Sequence, residues 1–146
     1  VIVIFASSCK KSNESPEEGN STCNGEVCQP SLLADETAAT VNASIHGSYN
    51  LVYTYAEPNS PFENGARAKF TLTANNELIV EIEGEECYTL ENPALRFDGS
   101  GGNYFFKDDC KKNICYNVSE TQAGVFNEVN VQPYEGVGWY GQFAAE

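Results

Sequence analysis

The chain has 146 residues, with 21 Asp and Glu against 8 Lys and Arg and a formal net charge of −13. Its length is typical of one domain, and 41% apolar residues are enough for one hydrophobic core but not for two. The negative charge argues against nucleic acid or an anionic membrane surface as a partner, because Lys and Arg drive binding to phosphates. We therefore expect a single acidic domain that does not bind nucleic acid.

The first residues of the chain have the character of a targeting signal. Residues 1–6 form an apolar run that is too short to cross a bilayer, which needs about 20 apolar residues. Two small residues, Ser7 and Ser8, follow this run and directly precede Cys9 and two lysines. The run Ser-Ser-Cys-Lys-Lys resembles the lipobox of bacterial lipoproteins, and most of all that of the Bacteroidetes.

The resemblance implies that residues 1–9 are a signal-peptide remnant with its lipobox, and that Cys9 carries fatty acids such as palmitate. The protein would then be lipid-anchored to the outer membrane of the cell envelope. The chain departs from the usual pattern at Ala6, where Leu is commonest. An ordinary secretory signal or a buried first strand is the alternative.

A polar stretch follows the lipobox-like run. Residues 10–31 have almost no large apolar side chain, so they cannot bury enough surface to offset their ordering entropy. We expect residues 10–43 to form a flexible acidic tether, with one or two helical turns over residues 31–40 capped by Ser31. The acidic residues 14–18 resemble export signals that send some Bacteroidetes lipoproteins to the outer face of the cell.

Six cysteines in an exported chain predict disulfide bonds. Once Cys9 is assigned to the lipid, the candidates are Cys23, Cys28, Cys87, Cys110 and Cys115. We expect the two short-loop pairs, Cys23 with Cys28 and Cys110 with Cys115, which leave Cys87 over. Pairing of Cys87 with Cys110 or Cys115 is the alternative. A zinc site is not indicated, because the chain has one His and no Cys-x-x-Cys.

From Ile45 onward apolar and polar residues alternate, with turn residues every eight to twelve positions, which is typical of short β-strands. The predicted strands are residues 49–55, 66–73, 78–83, 87–90, 95–97, 104–107, 114–118, 125–131 and 137–143. Residues 74–77 predict a tight hairpin, because Asn tolerates the positive φ that such turns require.

Short connections require antiparallel neighbours, so residues 44–146 predict an all-β antiparallel domain of eight or nine strands. We prefer an up-and-down barrel to a β-sandwich, because the hairpins are consecutive and closure removes both sheet edges. The opening Gly47-Ser48-Tyr49 resembles the Gly-x-Trp opening of lipocalin-like calycins, with Tyr in place of Trp.

Catalytic patterns are weak. The only histidine, His46, lies at the edge of the domain, so a triad with Ser48 or Cys87 is less favoured than a surface histidine. Carboxylates for glycoside hydrolysis could come from Glu81, Glu83, Glu85 and Glu86. The first two alternate on a polar strand face, where a solvated sheet also places its charges. We predict no catalytic residue and no cofactor.

A calcium site is one of two interpretations of a Gly-rich segment. Residues 98–103 resemble the start of a calcium loop, and the candidate ligands are Asp98, Asp108 and Asp109. Asp109 would stand where an EF-hand has a bidentate Glu, and its side chain is shorter. A Gly-rich hairpin loop is therefore preferred, and no metal is predicted.

Aromatic residues near the C-terminus are the candidate ligand-binding residues. Trp139 and Tyr140 are expected on opposite faces of one strand, so one ring must point outward or into a second layer, and we expect it to be Tyr140. Tyr134 lies close in sequence. Sugar-binding modules stack pyranose faces on such rings.

The sequence thus favours an exported, non-enzymatic domain that binds a ligand or serves as an accessory subunit of an envelope protein complex. The expected ligand is a glycan or a small apolar molecule. The alternatives are a carboxylate-based glycan hydrolase and a purely structural envelope protein.

Overall fold

The structure, a computed structural model, describes residues 23–96 and 103–146 of the chain. It is all-β, with eleven strands in one sheet and a short 3-10 helix at Ala43–Ile45. No helix among these residues is long and apolar enough to cross a membrane. The strands are β1 (Val27–Cys28), β2 (Glu36–Ala38), β3 (Gly47–Ala56), β4 (Arg67–Leu72), β5 (Leu78–Ile82), β6 (Tyr88–Leu90), β7 (Ala94–Arg96), β8 (Asn103–Asp108), β9 (Ile114–Glu120), β10 (Phe126–Pro133) and β11 (Gly141–Ala144).

Strands β3 to β11 are the nine strands that the alternating pattern predicts, and the all-β prediction is confirmed. β3 to β6 form one antiparallel meander and β7 to β11 form a second, joined where β3 pairs with β11. Within the described sheet, β6 and β7 are not neighbours. The sheet is therefore a curled half-barrel that opens between these two strands, and its closure is less complete than in the predicted barrel.

The hairpin predicted at residues 74–77 is confirmed. Asn76 has φ 66°, and the backbone N–H of Thr73 donates to the carbonyl of Glu77 at 3.0 Å. The Asn76 carboxamide also contacts the N-terminal part of the chain, donating to the Ala39 carbonyl at 2.8 Å and accepting from the Val41 N–H at 2.9 Å. One turn residue thus closes its own hairpin and holds a distant segment.

Residues 23–41, here called the N-terminal strap, fill the opening of the half-barrel. β1 adds to β6 in parallel and β2 adds to β7 in the antiparallel sense, so each edge of the opening carries a strap strand. The expected tether is therefore wrong over these residues, as are the helical turns over 31–40. The polar composition of this segment predicts a flexible tether. The strap is nevertheless ordered, because cross-links hold it in place instead of a large buried apolar area. Residues 10–22 lie outside the described residues.

Two disulfides bind the strap to the sheet: Cys23 to Cys87, and Cys28 to Cys110 in the β8–β9 loop. The expected short-loop pairs are wrong, because the strap lies beside β6 and brings Cys23 and Cys28 next to distant partners. Cys115 keeps a free thiol that is fully buried. Burial raises the pKa of this thiol to about 12, so it stays protonated and unreactive.

Aromatic side chains fill the concave face of the sheet. Six buried rings form one continuous set of ring contacts, with centroids 4.6–6.4 Å apart. They are Tyr53, Phe62, Phe70, Tyr88, Tyr116 and Phe143. The hydroxyl of Tyr53 packs so closely over Gly141 that a Cβ there would lie 1.5 Å from it. The interior is consequently a packed core, as expected where large rings meet at such distances.

A buried ionic cluster joins the strap to the outer face of β8. The Lys107 ammonium, fully buried, donates to Glu36 at 2.5 Å and to the Ser31 carbonyl at 2.8 Å, while Arg96 donates to Glu36 at 3.2 Å. Burial alone would raise the pKa of Glu36. The Leu33 N–H and the two cations outweigh it and hold that pKa below its usual range. The strap therefore depends on an ionised Glu36.

We predict that the two strap disulfides can be detected by non-reducing peptide mapping as Cys23–Cys87 and Cys28–Cys110. Removing the second with Cys28→Ala and Cys110→Ala should lower the free energy of unfolding in urea by roughly 2–5 kcal/mol, because a long loop is released. Cys115→Ala removes a buried sulfur without breaking a cross-link and should cost about 1 kcal/mol. A Cys110–Cys115 peptide would contradict this arrangement.

We also predict that Glu36→Gln lowers the free energy of unfolding at neutral pH by about 3–5 kcal/mol, because it leaves the Lys107 charge buried without a counterion. Since the folded-state pKa of Glu36 is lowered, its contribution is complete above the usual glutamate range and is lost as the pH falls below it. Urea unfolding across acid pH should thus show a shallower acid limb for the variant.

The matched control replaces all three charges of the cluster, with Glu36→Met, Arg96→Met and Lys107→Met. It should recover most of the lost stability, because a buried ionic cluster replaced by apolar side chains leaves no unpaired charge. A Glu36→Gln variant as stable as the wild type would show that the cluster does not hold the strap.

Candidate functional site

The residues considered for a catalytic triad have other partners in the structure. The Ser48 hydroxyl lies 2.8 Å from the hydroxyl of Thr71, on the neighbouring strand β4. Cys87 is oxidised in a disulfide. His46 ends the short 3-10 helix just before β3. Neither candidate nucleophile is therefore paired with the histidine.

The four glutamates considered for hydrolysis lie on and after β5. Glu81 forms an ion pair with Lys69 at 3.1 Å, and Glu85 forms one with Lys112 at 2.9 Å. Glu83 and Glu86 are exposed. Surface ion pairs and exposure to solvent are ordinary surroundings for glutamates on a sheet face and a turn. These carboxylates therefore do not indicate a catalytic role.

The two calcium candidates that the structure describes, Asp108 and Asp109, do not form a site together. The Asp108 carboxylate is fully buried and accepts the backbone N–H groups of Cys110, Lys111 and Lys112 at 2.7–3.1 Å, which organises the β8–β9 loop. Asp109 is exposed, and Asp98 lies outside the described residues. Asp108 lies near Cys28 and Cys110, but their sulfurs are bonded to each other.

The C-terminal aromatic residues do not lie on one strand as expected. β11 begins only at Gly141, and residues 134–140 form a loop in which Gly136 has φ 78°. Trp139 is half-buried against the core, whereas Tyr140 is 37% exposed. Tyr134 lies apart from both, with its ring centroid 6.0 Å from the Lys107 ammonium. Of the three candidates, Tyr140 presents the most accessible ring.

A β-bulge adds a second exposed ring to the same surface. Across the β3–β11 pair, Tyr53 faces Phe143 and Tyr55 faces Gln142, so Thr54 is an extra residue in β3. Because a bulge reverses the alternation of faces, Tyr53 is buried at 1% exposure while Tyr55 is 48% exposed on the outer face. Its ring centroid lies 6.1 Å from that of Tyr140.

Polar side chains from β10 and β11 complete this surface, and hydrogen bonds hold them in place. The Tyr140 hydroxyl donates to the Asn130 Oδ1 at 2.6 Å, and the Asn130 Nδ2 donates to Glu128 at 3.1 Å. Gln142 donates to the other oxygen of Glu128. We call Tyr55, Glu128, Asn130, Tyr140 and Gln142 the tyrosine platform.

Next to the platform along the outer face, Asn117 on β9 lies opposite Asn130. Its buried carboxamide oxygen accepts no hydrogen bond from the described residues. A buried acceptor without a partner costs about 1–3 kcal/mol, so a donor from a water or a ligand would be favourable here.

A surface cleft of about 430 Å³ adjoins the platform at Tyr140. It is lined by Glu57, Gln132, Pro133, Gly136, Val137, Gly138, Trp139 and Tyr140. The Glu57 N–H donates to the Tyr140 carbonyl at 3.0 Å, which fixes the start of the β3–β4 connection beside the ring. Platform and cleft together form a continuous surface of rings, amides and carboxylates on rigid strands.

A second cleft lies apart from the platform, beside the turn between β9 and β10. Tyr49 and Phe126 stack there with centroids 3.8 Å apart, and the volume is about 480 Å³. None of the residues that line it is charged. It is the alternative location for a small apolar ligand.

The sequence analysis found Tyr140 but missed Tyr55, Glu128, Asn130 and Gln142. Regular alternation places Tyr55 in the core, and only the extra residue at Thr54 moves it outward.

Comparisons with protein-family models, with curated proteins and with solved structures find no match for this chain.

Proposed function

We propose that this protein is an exported lipoprotein whose β domain binds a glycan at the tyrosine platform without cleaving it. The observation that carries the proposal is the exposed pair Tyr55 and Tyr140, held 6.1 Å apart beside amide and carboxylate groups that are already oriented by hydrogen bonds. A surface prepared in this way loses little conformational entropy when a ligand binds.

The chemistry of the platform suits a sugar. Apolar C–H faces of a pyranose pack on aromatic rings, while its hydroxyl groups need donors and acceptors such as carboxamides and carboxylates. Asn130, Gln142 and Glu128 supply both on a neighbouring pair of strands. The adjoining cleft would accept a further unit of a longer chain.

The filled interior favours the outer face over a calycin-like cavity as the place for a ligand. Six buried rings occupy the concave side of the sheet, and a ligand there would have to displace them. Removing a buried Phe side chain costs about 3–5 kcal/mol, so such displacement is unfavourable. A small apolar ligand would be limited to a surface site such as the Tyr49 and Phe126 cleft.

Two features support the proposal that the protein is exported and lipid-anchored: the residues before the strap and the disulfides. Two disulfides support an oxidising compartment, because cytosolic thiols are kept reduced. The lipobox-like run at Cys9 supplies the anchor, and the envelope is then the location. A glycan of the cell surface or its surroundings would lie within reach.

The competing function is a carboxylate-based glycan hydrolase. Glycoside hydrolysis needs two carboxyl groups on opposite sides of a bond, one of them kept protonated. Two of the four glutamates considered for it are ion-paired at the surface, which favours binding over hydrolysis.

We predict that Tyr55→Ala and Tyr140→Ala each weaken glycan binding at least about tenfold, because an exposed ring that stacks on the ligand acts as a hot spot. Isothermal titration calorimetry with laminarin, dextran and galactomannan identifies the polymer that the full chain binds, and the variants are titrated with that polymer.

Val27→Ala is the matched control, since this side chain is 48% exposed on β1, at one edge of the sheet and away from β10 and β11 in the strand order. It should bind as the wild type does. Tyrosine variants that bind unchanged would exclude the platform as the glycan site.

For the anchor, we predict that a palmitate analogue labels the protein in cells of a bacterium that processes lipoproteins, and that Cys9→Ala abolishes the label because the acylated thiol is lost. Cys115→Ala should leave the labelling unchanged. Equal labelling of the wild type and Cys9→Ala would contradict the lipoprotein assignment.

A further inference from the structure

Two carboxylates border the tyrosine platform, and neither takes part in an ion pair within residues 23–96 and 103–146. The carboxylate of Glu128, itself part of the platform, accepts hydrogen bonds from the uncharged amides of Asn130 and Gln142. Glu57 lines the cleft, and its carboxylate accepts a hydrogen bond from the Tyr55 hydroxyl at 3.4 Å. No Lys or Arg among the described residues therefore forms an ion pair with either carboxylate beside the rings.

The ring of Tyr140 lies in the electrostatic field of these carboxylates. Burial raises the pKa of Tyr140, and the negative charge of Glu128 raises it further, with Glu57 as a smaller contributor. A negative field disfavours the phenolate form, just as it would disfavour any anion placed at the same position.

The Lys and Arg side chains that the structure describes have partners other than Glu57 and Glu128. Five of the eight Lys and Arg side chains form ion pairs with glutamates other than Glu57 and Glu128: Arg67, Lys69, Arg96, Lys107 and Lys112. Lys111 lies in the β8–β9 loop with its ammonium 5.8 Å from the Tyr88 ring centroid. Lys10 and Lys11 precede the described residues. Over the part of the chain that the structure describes, no cation offsets the two glutamates.

We infer that the platform selects uncharged glycans and rejects those that carry carboxylates, such as uronic-acid polymers, an inference that rests on the proposed glycan-binding function. The rings and amides supply attraction for any sugar, and Glu57 and Glu128 supply the repulsion that discriminates between sugars. These two glutamates are thus specificity-determining residues of the site.

The size of the discrimination follows from elementary electrostatics. A ligand carboxylate about 6 Å from one glutamate is disfavoured roughly threefold in water, so two glutamates give about tenfold. Salt screens charges at an exposed site, and the Debye length falls to roughly 4 Å near 0.5 M ionic strength. The discrimination should therefore be large at low salt and small at high salt.

The test compares laminarin, dextran and galactomannan with their carboxymethylated counterparts in calorimetric titrations of the full chain. For a polymer that binds, the neutral form should bind at least about tenfold more tightly at low salt. The variant with Glu57→Gln and Glu128→Gln should reduce that ratio to threefold or less, and 0.5 M NaCl should have the same effect on the wild type.

Two further variants keep the test decisive. Glu83→Gln with Glu86→Gln removes the same net charge from an exposed turn far from the platform, and should leave the ratio at its wild-type value. Glu57→Gln alone should lower the ratio about threefold, which separates the charge effect from any loss of the hydrogen bonds that Glu128 accepts.

The outcomes separate the two proposals. Equal binding of neutral and carboxymethylated polymers overturns the selectivity and leaves glycan binding intact. A ratio that persists in the double variant and at high salt shows a steric cause and also overturns it. A ratio that falls equally in the Glu83 and Glu86 control assigns the repulsion to net charge instead of the platform. Absence of binding to every polymer refutes the proposed function itself.

Discussion

Ring packing on the concave side of the sheet determines where a ligand can bind. Phe70, at the centre of this packing, has no exposed surface and meets both Phe143 and Tyr116 edge to face. Because protein interiors are packed as densely as organic crystals, such a face has no room for a guest without large rearrangement. A curled meander with an interior of this kind is a scaffold, and binding falls to its outer face and its loops.

The scaffold is open between β6 and β7, and the strap covers the strand edge on each side of that opening. Unpaired strand edges invite association with other chains, and short strands that cover them are one protection. Here β1 and β2 supply that cover. Two disulfides and the buried Glu36–Lys107 pair hold the strap in place, so a segment without an apolar core of its own becomes part of the fold.

Alternation and turn residues were enough to predict the nine meander strands and the hairpin at Asn76, because both are local properties of the chain. The strap could not be predicted in this way. The partners that hold it lie 35 or more residues away, from Asn76, which is 35 residues from Val41, to Cys110, which is 82 residues from Cys28. The same holds for the disulfide pairing, which depends on the route of the strap and not on spacing.

The candidate site was predictable only in part. Tyr140 stands out as an aromatic residue in a Gly-rich segment, whereas Tyr55 owes its exposure to a single extra residue in β3. A bulge shifts all later residues to the opposite face, and alternation read along one strand cannot reveal it. The polar partners of the platform also come from a neighbouring strand pair, so they become neighbours only after the sheet has formed.

The central claim is that the protein binds a neutral glycan on the outer face of β3, β10 and β11. NMR chemical-shift mapping of the full chain, titrated with oligosaccharides from the neutral polymer that binds best, tests it most directly. The account predicts shifts concentrated at Tyr55, Asn130, Tyr140 and Gln142, with the amides of the core residues Phe70 and Tyr88 unchanged. Shifts concentrated at the core rings, or at Tyr49 and Phe126, would contradict it.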